Sequence, residues 1–315
     1  MTETIRVGTR ASALATTQSQ LVADQITELT GRQTELVAIA THGDTATGSL
    51  ASLGGTGVFV SALRDALLDE RIDVAVHSLK DIPTTPVAGI HLVATPLRED
   101  PRDALVARDG LTLGELPPGA KVGTGSPRRV AQLQALGLGL DLIDIRGNVD
   151  TRLGKVATGE LDAVILACAG LHRLGRADQI TEVIDPLQVL PAPGQGALAV
   201  ECRSNSDFVD LLAPLDHPHT RASVEAERVI LAELEAGCAA PVGALAEVVE
   251  GDHALELWIR AVALSPDGVL SVRRSASGPL DDPIGVGQKL AAEMLAEGAT
   301  ELITHQMQES NTQHG

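Results

Sequence analysis

The sequence predicts two α/β domains followed by a smaller α+β domain, and three observations support this. The first two-thirds of the chain alternates short apolar strand signals with helical periodicity, which is typical of α/β units with a largely parallel sheet. Proline-containing breaker stretches at 97–101 and 190–196 interrupt that alternation. From about Thr220 the pattern changes to one helix, three successive strands and a final helix.

Apolar spacing predicts each element in turn. The predicted elements of the first domain are a strand at Ile5–Val7, a helix at Ser12–Leu29, a strand at Glu35–Ala40, a helix at Val58–Arg71 and a strand at Asp73–Val76. In the second domain strands are predicted at Ala104–Ala107, Lys121–Gly123, Leu140–Ile145 and Ala163–Ala167, with helices between them. In the third part we predict a helix at Thr220–Glu235, strands at Ala244–Val249, Leu255–Leu264 and Val269–Ser275, and a helix at Ile284–Glu297.

The breaker stretches place the domain boundaries. We predict a discontinuous first domain of residues 1–97 and 197–216, and a second domain of residues 98–196 that includes both crossover segments. A third domain follows at 217–304, with a polar tail at 305–315.

Composition disfavours several classes of function. Of the 315 residues, 44% are apolar and 21% are charged, which is typical of a globular protein. With two Phe, one Trp and no Tyr, the cores are predicted to be Leu, Val, Ile and Ala, and aromatic platforms for single-stranded nucleic acid are not expected. The net charge of −18 argues against a general phosphate-backbone binder. Because no apolar run is long enough for a membrane span or a signal core, we expect a cytoplasmic protein without membrane or nucleic-acid partners.

Arginine dominates the basic residues, with only four Lys among the 24. Arg suits bidentate recognition of carboxylates or phosphates better than Lys does, although genomic base composition can produce the same bias. The three Cys are far apart and form no C-x-x-C pair. We therefore expect neither a disulfide framework nor a metal site.

The loop at 123–129, Gly-Thr-Gly-Ser-Pro-Arg-Arg, predicts an anion site. Ser126 is a preferred N-cap residue and a proline follows it, so the loop presents backbone N–H groups at the positive end of a helix. Arg128 and Arg129 add guanidinium donors. The segment at 7–12 has the same strand-to-helix form, which suggests two domains built alike whose loops face each other across an anion-binding cleft. The alternative is an ordinary capped helix with surface arginines.

More arginines follow other predicted strands of the second domain. Arg146 and Arg152 follow the third strand, and Arg173 and Arg176 follow the fourth. Each alone is more often a solvated residue. Because ligands of open α/β sheets bind at the carboxyl ends of strands, together they indicate a small polyanion that carries carboxylates or phosphates.

Asp81 is the candidate catalytic residue, since it closely follows a predicted strand of the first domain. A carboxylate near cations can stabilise a developing positive charge or relay a proton, and a turn aspartate is the alternative. His77 has no partner at metal-ligand spacing, so we predict a packed or hydrogen-bonded histidine. Cys238, in a loop between a helix and a strand, is the candidate reactive thiol, whereas Cys168 and Cys202 are predicted to be structural.

These segments resemble the hydroxymethylbilane synthase (porphobilinogen deaminase) family. The matching motifs occur in the family's order and span nearly the whole chain. They are 9–12 (TRAS), 73–83 (DVAVHSLKDIP), 98–104 (REDPRDA), 123–129 (GTGSPRR), 146–152 (RGNVDTR), 193–197 (PGQGA) and 235–238 (EAGC).

The resemblance implies a fold and a reaction. The implied fold has two type II periplasmic-binding-protein-like α/β domains and a smaller C-terminal α+β domain. The implied activity is a transferase of porphyrin, tetrapyrrole and heme biosynthesis. It deaminates four porphobilinogen molecules and joins them head to tail on a dipyrromethane cofactor, one per chain, and then releases the linear tetrapyrrole hydroxymethylbilane by hydrolysis. The resemblance also implies a monomer whose product passes to uroporphyrinogen-III synthase.

The family's residue roles carry over motif by motif. Asp81 is implied as the catalytic residue that contacts pyrrole N–H groups and stabilises the cation left when ammonia departs. Cys238 is implied as the one-time thioether attachment point of dipyrromethane. Cofactor and substrate binding is implied for Arg10, Ser12, Lys80, Ser126, Arg128, Arg129, Arg146, Arg152, Arg173 and Gln195. Many family members carry Lys at the positions of Ser52, Thr56 and Ser61, so this chain lacks carboxylate contacts in a stretch that resembles a mobile lid.

Two other functions stay open. A binding protein without catalysis fits the implied fold, which periplasmic anion receptors share. A Cys-nucleophile acyl transferase would use Cys238, but no His is placed to suggest the base that this class needs. A ligand left unchanged after incubation would indicate the first, and acylation of Cys238 the second.

Overall fold

The computed structural model describes residues 4–40, 57–237, 240–251 and 253–303. The strands within these ranges are, in chain order, β1 (Ile5–Thr9), β2 (Thr34–Ala38), β3 (Val74–Ser78), β4 (Ile90–Ala94), β5 (Asp103–Ala107), β6 (Lys121–Gly123), β7 (Asp141–Ile143), β8 (Ala163–Ala167), β9 (Glu182–Val183), β10 (Leu198–Arg203), β11 (Val242–Glu250), β12 (Leu255–Leu264) and β13 (Ser271–Pro279). The α-helices are α1 (Ala13–Thr30), α2 (Gly57–Leu68), α3 (Pro127–Ala135), α4 (Val149–Ala157), α5 (Cys168–Arg173), α6 (Phe208–Leu212), α7 (Pro218–Glu233) and α8 (Pro283–Ala296).

The chain divides into two compact units. The first comprises Met1–Glu99 and Gly196–Arg221, and the second Asp100–Gln195 and Ala222–Gly315. The first unit holds the sheet β2-β1-β3-β10-β4, and the second holds the sheet β7-β6-β8-β5-β9 and the three-stranded sheet β11-β12-β13. The predicted fold class, two α/β portions with a smaller C-terminal α+β portion, is confirmed. The division into three domains at the predicted boundaries stays a prediction.

Both five-stranded sheets follow one plan. β1 pairs in parallel with β2 and β3, as β6 does with β7 and β8. β10 runs antiparallel to β3 and β4, as β5 does to β8 and β9. Four of the five strands in each sheet therefore run in the same direction, which confirms the expectation of a largely parallel sheet, and β10 or β5 is the single reversed strand. β5 and β10 are the first strands after the chain passes from one unit to the other, and each enters its sheet at the carboxyl edge and runs back along it.

Sequence signals locate most of the helices and strands. β6, β8 and β12 have the predicted bounds, and α1 begins after Ser12 and ends at Gly31, whose φ of 67° is the left-handed conformation that favours glycine. β4, β9 and β10 were not predicted. β10 follows a breaker-rich stretch and contains the charged residues Glu201 and Arg203, so its sequence pattern does not predict a buried apolar strand.

The cores consist of the aliphatic residues that composition predicts. In the C-terminal sheet, α7 and α8 cover one face with Ala, Ile, Leu, Val and a single Met. The other face contributes to a small cluster with the second five-stranded sheet's helix α3. That cluster comprises Ala131, Leu190, Leu245, Val262 and Leu264. Within the second unit this packing fixes α3, the helix whose first turn carries two predicted binding residues.

Candidate functional site

In the first unit, predicted site residues follow two neighbouring parallel strands. Arg10 and Ser12 follow β1, and Lys80 and Asp81 follow β3. β1 and β3 pair directly, so the carboxyl ends of both strands lie at one edge of the sheet. The Ser12 hydroxyl accepts a hydrogen bond from the backbone N–H of Ala15 at 3.4 Å and caps α1, as its position predicts.

Asp81 lies in a short 3-10 turn, Leu79–Asp81, directly after β3. The turn is anchored at its start: Leu79 is fully buried, and the Ser78 hydroxyl lies 3.1 Å from Nε2 of Gln18 on α1. Asp81 itself is half-buried, and its carboxylate forms no hydrogen bond or ion pair with any of the residues that the structure describes. The fold therefore presents a fixed carboxylate whose acceptor oxygens are open to a ligand.

In the second unit, the predicted residues follow three neighbouring parallel strands. β6 lies between β7 and β8, so these ends also share one edge. The residues that follow the strands are Ser126, Arg128 and Arg129 after β6, Arg146 and Arg152 after β7, and Arg173 after β8. The equivalence predicted from the two strand-to-helix loops is confirmed, because β1 and β6 occupy the same place in their sheets.

Gly125 lets the loop after β6 lie against the segment after β7. A Cβ at this glycine would lie 2.6 Å from the backbone oxygen of Ile145, a distance that real side chains do not show. Ser126 is the N-cap residue of α3 and a proline follows it, as predicted, but the Ser126 hydroxyl makes no capping hydrogen bond. The Ser126 O–H and the first N–H groups of the helix are therefore donors that an anion could accept from.

Arg128 and Arg129 are buried, with 4% and 5% of their surface exposed. Both guanidinium groups donate to Asp103, the first residue of β5: Nη2 of Arg128 lies 2.9 Å from Oδ2, and Nη2 of Arg129 lies 2.7 Å from Oδ1. Nη1 of Arg128 donates to the backbone oxygen of Leu190, and Nη1 of Arg129 to that of Ile165. The Nε–H of each arginine is buried without an acceptor among the described residues.

The charges in this cluster do not cancel. Burial alone would raise the pKa of the Asp103 carboxyl, but the charges of Arg128 and Arg129 outweigh that effect and hold its pKa well below its usual range. Burial lowers the pKa of Arg128, and the like charge of Arg129 adds to this, while Asp103 opposes it. Guanidinium groups stay protonated in proteins. Two buried cations therefore share one anion.

Arg152 and Arg146 extend the excess of positive charge. Arg152 is half-buried, and its Nε–H is also buried without an acceptor among the described residues. Burial, and then the like charge of Arg129, lower the pKa of Arg152, and Asp144 opposes them. Nη2 of Arg146 lies 3.8 Å from Asp144, and both side chains are at least half exposed. Such an exposed pair contributes little stability.

Gln195 joins the same cluster from the second breaker stretch. Its Nε2 donates to Oδ1 of Asp103 at 2.7 Å and to the backbone oxygen of Pro101 at 2.8 Å. Arg173 is the last residue of α5 and is half-buried. Gln195 is thus tied to the buried arginine pair through Asp103.

Several other predictions can be compared with the structure. His77 is buried, as predicted, and its Nε2 lies 3.3 Å from Oε2 of Glu201. Cys168 and Cys202 are free and fully buried, and a structural role for both stays a prediction. Burial raises the pKa of the Cys168 thiol to about 12. Arg176 pairs with Asp150 at the surface.

Some predicted residues lie outside the part of the chain that the structure describes. These are Cys238, Ser52 and Thr56. Ser61 lies on the exposed side of α2.

Asp103 is the residue that sequence reasoning missed. It belongs to one of the quoted motifs but was assigned no role. Its position in the sequence could have indicated a role. Asp103 is an acidic residue at the start of an otherwise apolar strand, and no turn or helix cap explains it.

Within the described ranges, no three His, Cys, Asp or Glu side chains are grouped so that they could hold a metal ion. None of the helices described there is both long and apolar enough to cross a membrane.

Two family models match the chain. The model for the porphobilinogen deaminase dipyrromethane-cofactor binding domain matches residues 5–210, and the model for the porphobilinogen deaminase C-terminal domain matches residues 222–296. The chain belongs to the porphobilinogen deaminase family. As a member it is a transferase and contains the family's dipyrromethane-cofactor domain.

Relatives at high identity cover nearly the whole chain. Porphobilinogen deaminase 1 of Streptomyces avermitilis is 55% identical over 316 residues, covering 96% of this chain and 98% of the relative. The porphobilinogen deaminase of Thermobifida fusca is 56% identical and covers 95% of each chain. That of Mycobacterium tuberculosis is 54% identical over 95% of this chain and 98% of its own.

Solved structures outside the deaminase family are similar at low identity. A periplasmic substrate-binding protein of an ABC transporter from Coxiella burnetii has a TM-score of 0.43 and 14% identity, over 67% of this chain and 91% of its own. A putative methionine-binding lipoprotein from Bacillus subtilis has a TM-score of 0.41 and 12% identity, over 67% and 89%.

Proposed function

We propose that this member of the porphobilinogen deaminase family is a hydroxymethylbilane synthase. It deaminates four porphobilinogen molecules in steps, condenses them head to tail, and releases the linear tetrapyrrole hydroxymethylbilane by hydrolysis. The observation that carries the proposal is the excess of arginine charge at the carboxyl edge of the second sheet, where three guanidinium Nε–H groups are buried without described acceptors.

Porphobilinogen suits this excess because each molecule carries an acetate and a propionate. An N–H buried without an acceptor costs about 1–3 kcal/mol, so a ligand that supplies acceptor oxygens relieves that cost. Carboxylates meet guanidinium groups in bidentate, charge-assisted hydrogen bonds. We assign carboxylate binding first to Arg128, Arg129 and Arg152.

The same residues fit the dipyrromethane cofactor, which also carries carboxylates. The buried N–H groups without acceptors are the kind of donor that such a group needs. When bound, dipyrromethane supplies the pyrrole carbon to which the first substrate unit is joined. Cys238 is the proposed attachment point through a thioether, and it lies outside the described residues.

Asp81 is the proposed catalytic residue. Loss of ammonia from porphobilinogen leaves a cation that a nearby carboxylate stabilises electrostatically. The Asp81 carboxylate forms no hydrogen bond or ion pair with the described residues and lies in a turn whose first residue is buried, so its oxygens can accept pyrrole N–H hydrogen bonds. The same oxygens can take up and return a proton during condensation.

The remaining assignments follow the family motifs. We propose that Arg10, Ser12, Lys80, Ser126, Arg146, Arg173 and Gln195 also bind cofactor or substrate. We further propose three domains at 1–97 with 197–216, 98–196 and 217–304. A cytoplasmic monomer whose product passes to uroporphyrinogen-III synthase completes the proposal.

Intact-protein mass spectrometry tests the proposal. The wild type is expected to carry the added mass of two linked pyrrole units, and Cys238→Ala is expected to lack it. Cys202→Ala, which changes a buried thiol in the first unit, is the matched control and should keep the added mass. Adding porphobilinogen should produce a ladder of single-ring additions on the wild type. A wild-type mass that stays unmodified after porphobilinogen is added would favour a binding protein instead.

A further inference from the structure

Asp103 is a buried acidic residue, and a carboxylate in such a position needs compensating partners. It is the first residue of β5, a strand whose five residues are all buried, and its own exposure is 0%. Burying a carboxylate is unfavourable unless cations and hydrogen-bond donors compensate it. Three donors do so within 3 Å: Arg128 at 2.9 Å, Arg129 at 2.7 Å and Gln195 at 2.7 Å.

The strand register puts this carboxylate at the edge where the predicted ligand contacts begin. Asp103 is opposite Ala167, the last residue of β8, so it lies at the carboxyl edge of the parallel strands. Nothing about chain connectivity demands an acid there, since the corresponding residue of the first sheet, Leu198 opposite Ser78, is apolar. The difference therefore belongs to the side chains around the site and not to the topology.

We propose that Asp103 is a positioning residue for carboxylate recognition: it holds Arg128 and Arg129 side by side and compensates one of their two charges, which leaves the other for a carboxylate of the ligand. This inference rests on the proposed function for the chemical class of the ligand. Without Asp103, two like charges would be buried next to each other, and each guanidinium would lose the acceptor that orients its Nη2.

Asp103→Asn is the diagnostic variant, because it keeps the shape of the side chain and removes the charge. Oδ1 accepts from Arg129 and Gln195, and Oδ2 accepts from Arg128. An asparagine has only one acceptor oxygen, so its NH₂ group must face at least one donor. The variant is therefore expected to loosen the arginine pair while the hydrophobic core stays intact.

The first readout separates binding from chemistry. Losing a charge-assisted hydrogen bond costs enough to raise KM for porphobilinogen by about 10-fold or more in Asp103→Asn holoenzyme, with a smaller change in kcat. Asp73→Asn is the matched control. Asp73 is also a carboxylate paired with an arginine, Arg6, at 2.8 Å, but it precedes β3 and lies at the opposite edge of the first sheet. Its variant should lose stability and keep the wild-type KM.

The second readout detects the uncompensated charge directly. We expect the unfolding temperature of Asp103→Asn to rise on replacing chloride with sulfate at equal ionic strength, and to rise more than in the wild type or Asp73→Asn. A sulfate bound on the ligand side of the two guanidinium groups would compensate the charge that the asparagine no longer balances. Asp73→Asn also leaves arginine charge uncompensated, but the side chains of Arg6 and Arg203 are 36% and 17% exposed, so solvent screens their charges and this variant should gain less anion dependence.

The outcomes test the positioning role of Asp103 separately from the proposed synthase activity. A folded Asp103→Asn with a wild-type KM, or with a sulfate response equal to that of the controls, overturns it. If Asp103→Asn does not fold with or without sulfate, the double variant Asp103→Asn/Arg128→Gln restores the charge balance; recovery of folding supports the proposal and failure to recover overturns it. A wild type that does not turn over porphobilinogen refutes the proposed function, whereas the sulfate response still reports on Asp103.

Discussion

The two five-stranded sheets share one strand plan, yet they bury different balances of charge. β10 in the first sheet and β5 in the second occupy equivalent places, and each carries a buried acid. Glu201 on β10 accepts both hydrogen bonds of one guanidinium, from Nε of Arg64 at 2.9 Å and Nη2 at 2.6 Å. Asp103 on β5 accepts from two different arginines. One acid is matched with a single arginine and lies beside His77, and the other is shared between two arginines.

The strand register shows that the two buried acids lie at different heights in their sheets. Glu201 pairs with Ala75, the second residue of β3, so it lies towards the amino edge of the parallel strands. Asp103 pairs with the last residue of β8, at the carboxyl edge. We infer that the balanced pair away from that edge serves the fold, and we propose that the unbalanced cluster at that edge binds an anion. On this proposal, position along the strand distinguishes the two roles, since buried charge is present in both places.

The largest expected effect is the loss of turnover when Asp81, the proposed catalytic residue of the first unit, is replaced. Asp81→Ala should lower kcat by about 10²–10⁴-fold, the usual contribution of a positioned acid or base. The fold should persist, because Asp81 is half-buried and makes no bonds to the described residues. Turnover of porphobilinogen and the thermal unfolding midpoint are the measurements, with exposed Asp65→Ala as the control. Near-normal turnover would remove Asp81 from the mechanism.

The next prediction tests the balanced pair. Arg64→Ala leaves Glu201 buried without its bidentate partner, which should cost about 3–5 kcal/mol of unfolding free energy. The KM of the protein that stays folded should be unchanged. Arg64→Ala/Glu201→Gln should recover part of the loss, since the unpaired charge is gone. Denaturant unfolding at pH 7 measures all three, and an unfolding free energy equal to the wild type's would contradict a structural role.

Arg152→Gln tests the unbalanced cluster, and here we expect activity to fall while stability is kept. Its Nε–H has no described acceptor, and burial and Arg129 both disfavour its charge, so the variant should keep or gain stability. Catalytic efficiency should fall about 10–100-fold, the loss expected for one charge-assisted hydrogen bond to substrate. Steady-state kinetics and thermal unfolding check both parts. A variant that loses stability and keeps its activity would make Arg152 a structural residue.

The smallest expected effect is a difference in pH dependence. Burial raises the pKa of Glu201, but its contacts with His77 and Arg64 prevail and bring the pKa to about 2, from an ordinary value of 4.5. The pair therefore contributes its full stability above pH 4.5, and the contribution is lost as the pH falls towards 2. In that window the wild type should lose up to ~1.4 kcal/mol per pH unit more than Glu201→Gln. Acid unfolding curves that run parallel for the two proteins would contradict this.

Much of the site could be predicted from the sequence because its signals are local. Residues that follow an apolar strand and open a helix are recognisable from a dozen neighbours, and Arg10, Ser12, Asp81 and Ser126 all lie where this reasoning placed them. Arg128 and Arg129 also lie there, but their burial was not predicted. Two adjacent arginines in a first helical turn are typical of an exposed surface unless a partner is known.

That partner is distant in the chain. Asp103 is 25 residues from Arg128, and Gln195 is 92 residues from Asp103. No local pattern connects such residues, since only the insertion of β5 beside β8 brings them together. The reversed direction of β5 and β10 in otherwise parallel sheets was not predicted for the same reason: strand direction depends on how the chain crosses between units.

The sequence alone determined the order of most strands and helices, the aliphatic cores, the family and the residue types at the strand ends. These properties depend on spacing, propensity and motif, which are written along the chain. The tertiary structure decided the direction of β5 and β10, the burial of the arginine pair and the single carboxylate that the pair shares. These depend on long-range strand pairing, because a buried charge is stable only beside the partners that the completed fold supplies.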